Sequence, residues 1–304
     1  MNRAQSRAHE DERRRGFAFG VAAYGLWGVL PIYFKAIGHV PAVDIVAHRV
    51  LWSLPFLVVL LFIGKDWWKV GRALKSPRTL ALLAVTAFLI GINWLLYVYA
   101  VTGGHILAAS LGYYLNPLAN VLLGRFVLKE RLSWLQWSAV AIAATGIAAL
   151  ALGAIGQLWI SLTLCVSFAL YGLLRKIISA DALAGLAVET GLLFPIALAW
   201  LAWQAASGAA IFGTGTNDAA LLAMAGIVST TPLLLFTGAA RRIPYSTLGM
   251  LQFLAPTLQF LCAVWLYGEA FTRAHAVAFA AIWTALALYV IALVRKPRRP
   301  QAPE

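Results

Sequence analysis

Charge is what this chain has least of. Asp, Glu, Lys and Arg make up 12% of its 304 residues, about half the share in a soluble protein, while 62% are hydrophobic. Mean hydropathy is +0.82, which excludes an ordinary water-soluble globule. Acid is scarcest: 11 Asp and Glu stand against 24 Lys and Arg, a formal net charge of +13. The positives sit in short gaps between apolar runs rather than in one basic block, so no nucleic-acid partner is expected. Cysteine is nearly missing. Cys165 and Cys262 lie inside apolar runs far apart in sequence and read as small buried hydrophobes, not as a disulfide or metal pair. The histidines at 9, 39, 48, 105 and 275 show no metal spacing, and no Walker A or GxGxxG loop is present. No cofactor, metal site or catalytic group is expected, and any uphill transport would draw on an ion gradient or the substrate's own gradient. An enzyme acting on a lipid-linked substrate would need acid, base or metal ligands gathered at one interface, which this sequence does not offer.

What the chain does have is long apolar runs. Those of about 20 residues can cross a bilayer, and ten are found, at approximately 17–34, 44–64, 80–101, 106–127, 133–152, 155–175, 184–204, 219–240, 244–267 and 272–294. The fold class expected is therefore all-α integral membrane, with ten transmembrane helices. The tightest gaps, around Gly103-Gly104 and Gly153, make neighbouring helices antiparallel. Ser133 and Thr272 stand at helix starts as N-caps. Residues 1–15 and 295–304 read as tails. With the N-terminus inside, 20 of the 24 Lys and Arg fall in cytoplasmic segments, Arg175, Lys176, Arg241 and Arg242 among them. Positive charge is retained on that side, so both termini are expected in the cytoplasm. Trp67, Trp68, Trp134, Trp137, Trp200 and Trp203 fall at span ends and suit the aromatic belt.

An internal repeat divides the chain. Tyr113-Tyr114-Leu115-Asn116-Pro117-Leu118-Ala119-Asn120 matches Gln252-Phe253-Leu254-Ala255-Pro256-Thr257-Leu258-Gln259 at an offset of 139 residues, and Glu130 then matches Glu269. With one residue of slippage Pro55 meets Pro195 and Arg49 meets Glu189, while Tyr24-Gly25-Leu26 resembles Tyr171-Gly172-Leu173. Each half, 16–152 and 155–294, holds five spans, and an odd number inverts the second half relative to the first. Inverted repeats belong to alternating-access transporters whose site lies where the repeats meet.

Polar groups within spans are costly enough to name. Asn93 and Trp94, Asn116 and Asn120, Thr230 and Thr231, and Gln252 and Gln259 lie mid-span. Pro117 and Pro256 lack an N–H and are expected to free the carbonyls of Tyr113 and Gln252. Together with Tyr24, Trp27, Tyr113 and Tyr114 these residues would line a neutral, amide-rich cavity walled by spans 1, 3, 4, 6, 8 and 9. The alternative is that the amides only join helices. Such a cavity would suit neutral or zwitterionic molecules. Arg49 and Glu189 fall near opposite sides of the membrane, so no ion pair between them is expected. Each is a candidate gate, or else snorkels to headgroups. His48 is a candidate for proton coupling. Glu130 and Glu269 are expected to stabilise the helices that follow them.

A resemblance adds to these readings. Ala22-Ala23-Tyr24-Gly25-Leu26-Trp27-Gly28, Pro31-Ile32-Tyr33-Phe34-Lys35, Val40-Pro41, His48-Arg49-Val50-Leu51-Trp52-Ser53, Ile92-Asn93-Trp94 and Ser110-Leu111-Gly112-Tyr113-Tyr114-Leu115-Asn116-Pro117 resemble the RarD proteins, in the EamA-type branch of the drug/metabolite transporter superfamily. The resemblance runs from Gly16 to about Val294. It implies two EamA repeats, a bacterial inner-membrane location, and efflux of small polar or amphipathic metabolites or drugs, with a link to chloramphenicol sensitivity. Its pattern falls on His48, Arg49, Asn93, Trp94, Tyr113, Tyr114, Asn116 and Pro117. The expected function is secondary transport of a small molecule, the two halves rocking about a midplane site, with lipid as the other partner. The alternative, a non-transporting membrane sensor or assembly partner, would call for a docking tail or further domain.

Overall fold

A computed structural model describes residues 3–102, 105–151, 156, 158–208, 216–266 and 273–295. The expected turns at Gly103-Gly104 and Gly153, the cap Thr272, and Glu269 lie outside the described residues. Helix follows helix: α1 (Arg3–Ala36), α2 (Ala42–Gly64), α3 (Trp67–Lys75), α4 (Pro77–Thr102), α5 (Ile106–Phe126) and α6 (Trp134–Ala151) come from the first repeat. The second supplies α7 (Leu158–Ile177), α8 (Ala182–Ala206), α9 (Thr216–Ala240), α10 (Tyr245–Leu251), α11 (Leu254–Leu261), a π-helical turn at Cys262–Leu266, and α12 (Arg273–Arg295). Among the described residues, six helices are long and apolar enough to cross a membrane: α1, α2, α4, α7, α8 and α9. Shorter apolar stretches lie within α6 and α12.

Three local features depart from the sequence reading. Residues 3–15 are not a separate tail but the first turns of α1, where Glu12 pairs with Arg242 at 2.8 Å. Trp67 and Trp68 follow the end of α2 on a helix of their own. Lys65 turns the chain in the left-handed conformation (φ 54°), and both tryptophans then sit on the short helix α3. Trp68 lies under the Arg72 guanidinium (4.5 Å to the ring centroid), and the hydrogen bond from Lys69 to Asp66 raises the lysine pKa. The third is span nine, which is broken. Pro256 falls in the first turn of α11, where a missing N–H costs nothing. The Gln252 carbonyl is not freed, because the Ala255 N–H donates to it at 3.2 Å. Pro117, its repeat partner, lies inside an uninterrupted α5.

Ser133 caps α6 as its sequence suggests: Gln136 N–H donates to Ser133 Oγ (3.3 Å) and Ser133 N–H to Gln136 Oε1 (2.8 Å), a reciprocal capping box. Glu130, by contrast, serves a different helix from the one that follows it. Its carboxylate accepts from Tyr245 N–H (2.6 Å), Ser246 N–H (3.0 Å) and Ser246 Oγ (2.6 Å), closing the N-terminus of α10. Charge-assisted bonds to orphan helix donors are among the stronger ones. Glu130→Ala is expected to lower stability by about 2–3 kcal/mol, read as a fall in melting temperature of the purified protein. Glu130→Gln, which keeps one acceptor, should lose less.

The most extensive seams all join one half of the chain to the other. They are α6 with α12, α5 with α7 and α10, α2 with α8 and α9, α1 with α9 and α11, and α4 with α7 and α8. Small residues set these crossings, as expected where lipid offers no hydrophobic drive between helices. Gly226 of α9 meets the α2 backbone at Trp52 and Ser53, and Gly112 of α5 meets Ser161 and Leu164 of α7. Residue 152 is thus a boundary in sequence but not between packed bodies, and two halves rocking as rigid units do not fit this interleaved packing.

Candidate functional site

Helical spacing on α1 lays down one wall. Tyr24, Trp27, Leu30 and Phe34 recur at three- and four-residue steps, and Lys35 stands eleven residues, about three turns, after Tyr24, so they share a face. Opposite them stand Asn93, Trp94 and Tyr97 of α4, Tyr113 of α5, Phe168 of α7, Leu233 of α9, Arg49 of α2, Gln252 at the helix break, and Ala255, Pro256 and Gln259 of α11. These enclose a cavity of about 430 Å³, within the range of small-molecule sites. Along α1 the lining runs from fully buried Tyr24 to exposed Lys35, so the cavity is closed at the Tyr24 end and open at the other.

An aromatic layer closes the Tyr24 end. Trp27 packs on Tyr24 (5.6 Å between ring centroids), Phe168 (5.9 Å) and Phe236 (5.7 Å), and Phe236 stacks on Tyr171 (6.2 Å, 16°). Trp94 and Leu233 form a partition, lining the cavity on one side and, on the other, a void of about 10 Å³ that touches Glu189. Behind it, Glu189 accepts from Thr86 Oγ1 (2.5 Å) and Tyr171 OH (3.4 Å) and pairs with Arg175 Nη1 at 3.5 Å. Arg175, in a segment the sequence reading sets on the cytoplasmic side, does not lie at a surface. It is instead folded inward and 1% exposed, in a space kept clear by Gly185, and Nη2 donates to Ala182 O (3.0 Å). Its neighbours behave as end-of-helix cations: Lys176 Nζ donates to the carbonyls of Ala240 and Ile243, and Arg241 to those of Ile178 and Ala180.

Polar groups at the cavity wall are mostly engaged. Asn93 Nδ2 donates to Leu164 O and Ser167 Oγ, both 2.9 Å, and Tyr113 OH donates to Asn93 Oδ1 at 3.3 Å. Gln259 Nε2 donates to Trp27 O (3.0 Å), tying α11 to α1, and Asn120 Nδ2 donates to Gln252 Oε1 (2.9 Å). Thr230 donates to Ser53 Oγ (2.7 Å), joining α9 to α2, and Thr231 bonds within its own helix to Ile227 O. For these threonines the reading as joints between or within helices fits.

The structure thus brings Tyr24, Trp27, Asn93, Trp94, Tyr113, Gln252, Pro256 and Gln259 to one cavity, and it leaves out Tyr114, Asn116, Pro117 and Asn120. The reason is α10, whose Gly249 packs directly on Asn120 Cβ (2.7 Å from a built Cβ) and the Pro117 carbonyl (2.9 Å), covering that stretch of α5. Asn116 is fully buried with neither amide atom hydrogen-bonded, while Tyr114 turns to Phe279 of α12 (6.3 Å between rings). His48 and Glu189 also lie off the cavity. Arg49, expected at a gate, lines it: α2 starts at Ala42, so Arg49 is the eighth residue and lies deeper than the sequence suggested. Glu189 is likewise the eighth residue of α8, and the two do not pair. Tyr97, Lys35 and Phe168 were missed, although Tyr97 is four residues from Asn93 and Lys35 continues the Tyr24 stripe.

Comparison with known proteins agrees with this architecture. Residues 14–152 match the EamA-like transporter family. Protein RarD of Salmonella typhi is 46% identical over 296 residues, covering 95% of this chain and 98% of that protein. An uncharacterized transporter of Vibrio cholerae is 46% identical over 291 residues (93% and 94% covered), and the chloramphenicol-sensitive protein RarD of Pseudomonas aeruginosa is 34% identical over 278 (90% and 93%). A solved crystal structure 19% identical in sequence superposes with a TM-score of 0.73, covering 94% of this chain and 100% of that one, and shares the fold. This multi-pass membrane protein belongs to the RarD group of the EamA-like transporter family.

Proposed function

We propose that the protein is a secondary-active exporter of small polar or amphipathic metabolites or drugs, working by alternating access in the bacterial inner membrane with both termini cytoplasmic. The observation that carries this reading is the cavity, open at one end and sealed at the other by aromatic rings and the Glu189–Arg175 pair. With the N-terminus inside, the open end faces out.

Helix pairing supports ten spans in two inverted repeats, taking α1, α2, α4, α5 and α6 as one set and α7, α8, α9, α10–α11 and α12 as the other. Exchanging the sets carries the α5–α7 seam onto α11–α1, α2–α9 onto α8–α4, and α1–α9 onto α7–α4. The α6–α12, α2–α8 and α5–α10 seams map onto themselves. Because seams cross between halves, the moving units are mixed bundles of helices rather than the halves themselves. A relative named for chloramphenicol sensitivity favours drug-sized cargo.

The test compares metabolites in medium and cells for strains carrying wild type, Trp94→Ala or no protein, at matched membrane levels. Trp94 is the partition between cavity and inner closure, so its loss should return the export profile to that of empty cells. A compound that accumulates outside only with wild type identifies the cargo and the direction. Identical profiles for wild type and Trp94→Ala, both differing from empty cells, would remove this cavity from the transport path.

A further inference from the structure

The charge of the cavity does not match the neutral lining expected from sequence. Two cations border it, Arg49 and Lys35, and no carboxylate is among its described lining residues. Arg49 forms no ion pair or hydrogen bond with any described group, and its buried Nε has no acceptor. Asp44, the nearest acid along α2, is five residues earlier and so on another face, and its Oδ1 accepts from Trp200 Nε1 at 2.9 Å.

What does hold Arg49 is aromatic. Its guanidinium carbon lies 4.0 Å from the Trp94 ring centroid. Stacking occupies a face of the guanidinium and leaves its in-plane N–H groups, the donors that match a planar oxyanion two at a time. A buried donor without a partner is costly, and here the unmet donor, Nε, belongs to a fixed positive charge at the wall of an open cavity.

We propose that Arg49 is the anion-binding residue of the cavity, and that the cargo carries a carboxylate or phosphate on an apolar or aromatic body. This rests on the cavity being the substrate site. Trp27, Trp94, Tyr97 and Phe168 would contact the body, and Lys35 at the open end would attract the anion on its way in or out. An anion that neutralises Arg49 also removes the cost of carrying a bare charge through the alternation, so the loaded carrier would cross between states more readily than the empty one.

The test uses the full-length protein in lipid nanodiscs and a panel of small aromatic and aliphatic molecules in matched sets: carboxylate, phosphate monoester, neutral amide and amine. Binding is read by thermal stabilisation and by Trp fluorescence. Wild type should bind anionic members and not their amides or amines, with the carboxylate and phosphate arms separating the two sources of charge. Arg49→Gln should weaken the best anion about thirtyfold or more, and Arg49→Lys less. Size-exclusion profiles matching wild type establish that both variants fold, and the lysine variant carries the test if the glutamine one does not. Preference for neutral or cationic members, anions bound equally by Arg49→Gln, or a panel without an anionic ligand would each overturn the assignment. Leu30→Trp, which fills the cavity, separates the two readings. If it blocks neutral ligands that Arg49→Gln leaves untouched, the cavity stands and the anion assignment falls. If it blocks nothing that binds, the cavity reading falls as well.

Discussion

Gly226→Val is expected to eliminate folded protein from the membrane. A Cβ built at Gly226 comes within 2.3 Å of the Trp52 carbonyl carbon, 2.5 Å of the Ser53 nitrogen and 2.6 Å of the Trp52 oxygen. These are backbone atoms in the middle of α2, so no rotamer change can make room. Helices α2 and α9 would have to separate along a seam that also holds the hydrogen bonds from Ser53 to the Gly226 carbonyl (3.3 Å) and from Thr230 to Ser53. Overpacking usually costs about 1–3 kcal/mol when side chains can adjust, and a branched residue against main chain should exceed that. Expression as a fluorescent fusion followed by size exclusion should show loss of the monodisperse peak. Gly71→Ala on α3, where nothing lies within 4 Å, should leave the profile unchanged. A normal profile for Gly226→Val would mean that the α2–α9 crossing is looser than described.

The second large effect concerns Glu189. Replacing it by leucine strands the Arg175 guanidinium in a fully buried place, since arginine keeps its proton in proteins. Breaking a buried pair from one side costs about 3–5 kcal/mol. Tyr171 loses this acceptor as well and Thr86 falls back on the Leu83 carbonyl of its own helix, loosening the joint between α4, α7 and α8. Adding Arg175→Met should restore most of the stability, because an apolar replacement of both partners is often near neutral. The pair of variants separates two roles. If the double variant melts like wild type yet no longer transports, the ion pair serves the closing of the Tyr24 end of the cavity; if it transports normally, the pair is a structural joint only. Equal melting of Glu189→Leu and wild type would show that Arg175 finds another acceptor.

The sequence made some of this legible and concealed the rest for physical reasons. Apolar run length marked α1, α2 and α4 because bilayer thickness fixes the length of a span. The Ser133 cap was readable because capping is local, within four residues, although its Gln136 partner was not named. The places of Arg49 and Arg175 were hidden because the side of a helix that meets solvent, lipid or protein depends on neighbours distant in sequence. Gly185 makes the space for Arg175, and nothing in the sequence around 175 announces it. The proline-centred stretch of α5 drew attention by its residue types, yet α10 covers Pro117 and Asn120 and keeps them from the cavity. Helix α3 was hidden inside a gap between apolar runs, read for its charges and for Trp67 and Trp68 alone. The seams themselves are unreadable by periodicity, since a helix hydrophobic all round carries no stripe to say which face meets which partner.

The interleaving of the halves has a consequence for how the chain is made. Helix α2 leaves the ribosome about 150 residues before α9, its main neighbour, begins. At the usual 5–20 residues per second that is a wait of roughly 8–30 s. During it Arg49 has no cavity around it, Thr86 is made and waits 103 residues for Glu189, and the bare backbone at Trp52 has no Gly226 to cover it. Ser53 is provided for, because its hydroxyl donates to the Arg49 carbonyl one turn back (2.5 Å) within the same helix. The nascent first half must therefore be held, by the insertion machinery or by lipid, in a state that is inserted but unassembled. A ribosome stalled after α6 should leave a product that protease degrades and that no detergent extracts as a folded unit.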